Sequence, residues 1–181
     1  MFGIPHWLRR IQRQYVLNKL RVFVVYGNMD RDFPTMNNIV SSIDRNRYSL
    51  VVQTGFGKPF LLPEDKGFDF CDAKSFTDEI AAADIILCHA GIGVITASLN
   101  VGKKPMVVVR SANLNEHTND HQRDFVNHFA EDNLFYEVGS YKDIEYLVQE
   151  GLYTLLPSRP FITNLSDLKK DLIKYLDSIL T

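Results

Sequence analysis

Apolar residues along this chain fall into short continuous runs, and stretches with helical spacing separate them. From Arg21 the alternation is regular. RVFVVYG (residues 21–27) is apolar, β-branched and ends in glycine, as a strand running into a turn would. FPTMNNIVSSID (33–44) places apolar residues at helical spacing, with Pro34 suited to a first turn. SLVVQTG (49–55) is strand-like again, and residues 56–65, rich in glycine and proline, read as a loop. GFDFCD (67–72) reads as a short strand, and SFTDEIAAA (75–83) as a short helix capped by Ser75. DIILCHAG (84–91) is the most buried-looking strand, and it leads into a helix predicted from about Gly93 to Asn100 and stopped by Val101 and Gly102. PMVVVR (105–110) is a further strand. A polar loop (111–118), a helix (119–133), a short strand (134–138) and a helix (140–151) follow.

Strands that are apolar throughout, separated by helices, imply a parallel sheet covered on both faces. The predicted fold is therefore α/β, a doubly wound, Rossmann-like domain over residues 21–155. In that architecture ligands sit outside the carboxyl ends of the strands. Residues 156–181 form a predicted amphipathic helix, with Leu168, Leu172 and Leu176 on an apolar side that packs on the domain or on a partner.

Composition changes this picture at one end only. A chain of 181 residues suits one domain with a full core, and a net charge of -2 gives no argument for nucleic acid. The charge is uneven, however: residues 1–21 carry Arg9, Arg10, Arg13, Lys19 and Arg21 and no acidic residue. Within segment 1–20, Trp7, Leu8, Ile11 and Tyr15 recur at helical spacing, the pattern of an amphipathic helix at an anionic membrane interface or of one packed on a protein surface. The arginines interrupt what would be the apolar core of a signal peptide, and no run is long enough to span a bilayer. Cys71 and Cys88 both sit in apolar runs and are expected to be buried thiols.

Candidate chemistry concentrates at two places. Where residues 84–91 turn into a helix, the first-turn N–H groups of Ile92, Gly93 and Val94 lack intrahelical partners, and the helix dipole adds positive potential. Missing Cβ atoms at Gly91 and Gly93 let an anion approach, and His89 adds an N–H donor, which together make a phosphate-shaped environment. The alternative is a turn that needs glycine for a positive φ. Beyond the next strand, Asn115, Glu116, His117, Asn119, Asp120, His121 and Gln122 supply the donors and acceptors that sugar hydroxyls need, or form a solvated loop with a helix N-cap at Asn119 or Asp120, which accounts for the polarity but not the histidines. His117 and His121 also have the i, i+4 spacing of a zinc-binding helix face. Against a metal stand the absence of an obvious third ligand and a turn at His117 that is not helical. Cys88 and His89, adjacent on a strand, point to opposite faces and do not make a nucleophile pair.

HAGIGVITASLNVGKKPMVVV followed by NEHTNDHQRDF resembles the signature of the glycosyltransferase family 28 carboxy-terminal domain, strongly over residues 83–125. The resemblance implies a single GT-B C-terminal-type domain, the nucleotide-sugar-binding half of such an enzyme. It is nearest to stand-alone versions of that half. These include the catalytic subunit of the dolichol-linked N-acetylglucosaminyltransferase and related bacterial exopolysaccharide glycosyltransferase subunits. It implies that Gly27 and Asn28 lie near the donor diphosphate, that His89, Gly91 and Gly93 hold it, and that His121 and Gln122 grip the sugar. Many relatives carry an acid six residues after Gly91 to bind the ribose; here that position is Ala97, flanked by Thr96 and Ser98, so other groups such as Thr96 must serve. The implied donor is a UDP-sugar, and the implied acceptor is polyprenyl-linked. The implied partner is a membrane-anchored acceptor-binding subunit that supplies the general base. The implied location is the cytoplasmic face of a membrane, held peripherally, with no metal or other cofactor required.

Overall fold

The computed structural model describes residues 19–119, 121–129 and 133–153, so the basic N-terminal segment, Asp120 and the predicted tail helix lie outside the described residues. Six strands form one sheet: β1 (Leu20–Val25), β2 (Tyr48–Gln53), β3 (Lys66–Phe68), β4 (Ile85–His89), β5 (Met106–Val108) and β6 (Tyr136–Glu137). All neighbouring pairs are parallel, in the order β3-β2-β1-β4-β5-β6. The helices are α1 (Pro34–Ser42), α2 (Ala73–Ala82), α3 (Ile92–Asn100), α4 (His121–His128) and α5 (Tyr141–Gln149). Among the described residues no helix is long and apolar enough to cross a membrane.

Two cores follow from the two-residue period of a strand. Phe23, Val25, Ile86, Cys88 and Val107 face one side, where Ile80 of α2, Val94 and Ile95 of α3, and Phe125 of α4 cover them. Val22, Val24, Ile85, Leu87, Met106 and Val108 face the other, under Met36, Ile39 and Val40 of α1 and Ile144 and Leu147 of α5. Both faces of the central strands are thus apolar, which is why they read as unbroken runs. The doubly wound arrangement matches the expectation, and the strand order reverses between β1 and β4, which opens a crevice at their carboxyl ends.

The helix ends show how long-range contacts adjust a local reading. Helix α2 begins one turn earlier than expected: Asp72, not Ser75, is the N-cap, and its side chain accepts from the Ser75 N–H at 2.9 Å. Helix α3 stops at Gly102, whose φ of +74° ends the helix with Gly102 N–H on Leu99 O and Lys103 N–H on Ser98 O. Arg45 closes α1: its Nη1 donates to Val40 O and Ile43 O, and its Nε and Nη2 form a two-pronged ion pair with Asp65, at 3.1 and 2.8 Å. Cys71 corrects the expectation of two buried thiols. Only Cys88 is buried, because β3 ends at Phe68 and leaves Cys71 in an exposed connection.

Candidate anion and sugar site at the carboxyl rim

His89 is the last residue of β4 and sits at the crevice, half-buried. A Cβ on Gly91 would stand 2.2 Å from its Nε2, and one on Gly27 would stand 2.7 Å from its Cε1. The imidazole therefore occupies the space that side chains at both glycines would need. Gly27 has a second constraint, a φ of +87°, and the backbone there is so close that a Cβ on Gly55 would meet Gly27 O at 1.8 Å. The glycine at 91 thus makes room for the His89 ring, and its φ of -93° by itself needs no glycine.

Gly93 is different. It is the second residue of α3, helical, and nothing stands within 4 Å of its missing Cβ. Neither packing nor conformation calls for glycine at this point. The N-cap, Gly91, offers no side-chain acceptor to the first-turn amides of Ile92, Gly93 and Val94. An exposed, bare helix N-terminus with His89 at its edge is suited to an anion. Ile92 contributes its amide alone, since its side chain packs on the core, and Thr96 is half-buried one turn further on. Ala97 packs against the same core cluster.

The electrostatics set a condition on His89. Burial pulls the His89 pKa down to about 4, and the nearby Arg110 and His117 push the same way. His89 Nδ1 lies 3.4 Å from Val25 O. A carbonyl oxygen only accepts, so in the neutral ring Nδ1 carries the proton and Nε2 keeps a lone pair. The expected N–H donor at Nε2 exists only when the ring is protonated.

The polar loop folds through a 3-10 turn (Ala112–Leu114) and Asn115, whose φ is 58°. Asn115 Oδ1 accepts from Arg31 Nη1 at 2.6 Å. His117 Nδ1 accepts from the Asn119 N–H at 3.2 Å, and Asn119 Oδ1 from the His121 N–H at 3.3 Å, so the three residues form one bonded string. Helix α4 starts only at His121, which leaves His117 outside it and removes the helical face a zinc pair would share. Gln122 uses its Oε1 on the Arg110 N–H at 3.1 Å and keeps its amide N–H groups free of that bond. Asn28 is exposed beside Gly27.

Glu116 departs from the reading as a sugar ligand. It is 0% exposed, and its carboxylate oxygens accept from Thr35 N–H at 2.8 Å and Ser111 N–H at 3.0 Å, so it serves the loop itself. Arg110 was not singled out from the sequence. It is 2% exposed; its Nη2 donates to Tyr26 O at 3.0 Å and its Nη1 to Glu116 O at 3.1 Å, with Phe33 beneath the guanidinium at 4.1 Å. An arginine ending an apolar strand, VVVR, next to a polar loop was the available signal.

No curated protein sequence matches the chain. Among solved structures it is similar to the glycosyltransferase SnogD from Streptomyces nogalater, with a TM-score of 0.51 and 14% identity over 83% of this chain and 39% of that one. It is also similar to the glycotransferase of kitacinnamycin, with a TM-score of 0.50 and 18% identity over 87% of this chain and 40% of that one. The chain thus spans about two fifths of the length of these enzymes, and the likeness is one of fold. The glycosyltransferase family 28 C-terminal domain matches residues 22–170, reaching past the region where the signature was read, and the chain belongs to that family.

Proposed function

We propose that this chain is the donor-binding catalytic subunit of a two-component, inverting glycosyltransferase. It moves a sugar, N-acetylglucosamine or another hexose or hexuronic acid, from a UDP-sugar to a polyprenyl-linked acceptor. The observation that carries the reading is Gly93, a helical glycine with open space at a bare helix N-terminus beside His89. Diphosphate oxygens fit there on the amides of Ile92, Gly93 and Val94, and the sugar lies toward His117, Asn119, His121 and Gln122. As the glycosidic bond breaks, negative charge builds on the departing UDP, and preorganised amides and a protonated His89 stabilise it. The acceptor-binding half and the general base belong to a membrane-anchored partner, which keeps this chain peripheral at the cytoplasmic face. Membership of the family 28 C-terminal domain supports the sugar-transfer role.

Calorimetry with UDP and UDP-sugars tests the reading, and millimolar or tighter binding is expected. Absence of binding with and without a partner overturns it. Ala97, where relatives place a ribose-binding acid, favours a second reading, a nucleotide-binding assembly subunit without catalysis. Nucleotide binding without sugar transfer in the reconstituted complex would select it.

A further inference from the structure

We propose that Arg110 and Glu116 are positioning residues that lock the two loops flanking the crevice into one body, so that the sugar-facing string of His117, Asn119 and His121 is oriented from the β1–α1 loop. The donor side of this inference rests on the function proposed above. Glu116 reaches a residue 81 positions away in sequence: one oxygen takes the Thr35 N–H in the first turn of α1, the other the Ser111 N–H at the start of the polar loop. It acts as a distant cap, since Phe33 at the N-cap of α1 offers no side-chain bond. Arg110 completes the lock from the other direction, drawing Tyr26 O and Glu116 O onto one guanidinium, with the carbonyls of Arg31 and Asp32 each at 3.4 Å. Arg31 to Asn115 closes the solvent side. Burying an arginine and a glutamate costs stability that apolar side chains of the same volume would not. What the charged groups supply is direction, because each bond fixes a backbone atom of one loop against the other.

The test begins without ligand, by hydrogen exchange. Arg110→Lys touches neither the Thr35 nor the Ser111 amide directly. It is expected to speed exchange at both by about tenfold, as loss of a bond to a charged group allows, with β1 and β4 amides unchanged. Faster exchange at one amide alone means that the loops move independently and overturns the inference. Should that variant not fold, Glu116→Gln is read instead through the amides of Arg31 and Asn119, with the same joint response required. Calorimetry with UDP and UDP-N-acetylglucosamine then separates positioning from general loosening. In Glu116→Gln the affinity for UDP is expected to hold within about twofold, while the extra affinity contributed by the sugar drops about tenfold. Wild-type protein that binds both, with a variant that keeps their ratio, overturns the inference. Wild-type protein that binds neither ends the proposed function and leaves the exchange result to decide the lock.

Discussion

A glycine inside a helix loosens it, and Gly93 does so with no return in packing. Gly93→Ala is therefore expected to stabilise the fold by about 0.5–1 kcal/mol, measured by urea denaturation, while nucleotide affinity falls at least about tenfold from the added methyl group. Undiminished affinity would show that the ligand stays clear of the first turn of α3. His89 gives a second prediction. Its pKa is about 4 when folded, held down first by burial and then by Arg110 and His117, against 6.5 in the open chain. Between those values the unfolded chain binds the extra proton, so stability falls as pH drops from 6.5 toward 4. His89→Gln should flatten that slope; an unchanged slope assigns it to another group. A diphosphate at Nε2 would bring a proton with it, so UDP-sugar affinity should rise as pH falls toward 4, with a binding enthalpy that depends on the buffer. A flat profile means that the amides alone hold the phosphates. That His89, Gly91 and Gly93 sit together was legible because they are neighbours in sequence; that Gly91 and the distant Gly27 clear space for the imidazole was not. Glu116 and Arg110 were misread or missed because their partners lie up to 84 residues away, where composition of a loop says nothing about burial.

At the scale of elements, hydrophobic period located the α-helices and strands among the described residues but not the 3-10 turn (Ala112–Leu114), and caps and loop anchors were where expectation and structure differ. Ser75 has the chemistry of a cap, but Asp72 reaches its amide from one turn earlier. Residues 56–65 looked like plain loop, yet Asp65 is only 1% exposed at its side chain and pairs with Arg45 at 8%. Asp65 also accepts the Leu62 N–H at 2.9 Å, which fastens the loop to the end of α1. Asp65→Ala strands a buried guanidinium and should cost about 3–5 kcal/mol in urea or thermal unfolding. A loss below about 1 kcal/mol would mean that water reaches Arg45 and that the loop is held by its apolar residues.

For the molecule as a whole, one expectation concerns the basic N-terminal segment, which lies outside the described residues up to residue 18. The five basic residues counted near the start include Arg21, which the fold already uses: it pairs with Glu79, and its amide donates to Asp84 at 2.8 Å. The remaining four, at about 1 kcal/mol each near an anionic surface, bias location without anchoring. Weak, salt-sensitive sedimentation with anionic vesicles is expected, lost on deleting residues 1–18, which stops short of β1, while UDP binding persists. Equal sedimentation of both forms would assign recruitment to the partner. The alternation of apolar runs made the parallel sheet legible in advance, but not that β1 would stand between β2 and β4.

That central placement bears on how the molecule comes into being. β1 leaves the ribosome before β4, and one of its edges stays unpaired until β4 arrives, some 64 residues later. Closing so long a loop carries more entropy cost before any contact rewards it than closing the shorter β1–β2 loop does, which favours pairing of β1 with β2 before β4. Val25 and His89 meet only across that seam. The fall in the histidine's proton affinity would thus serve as a clock for the moment the two halves of the sheet become one.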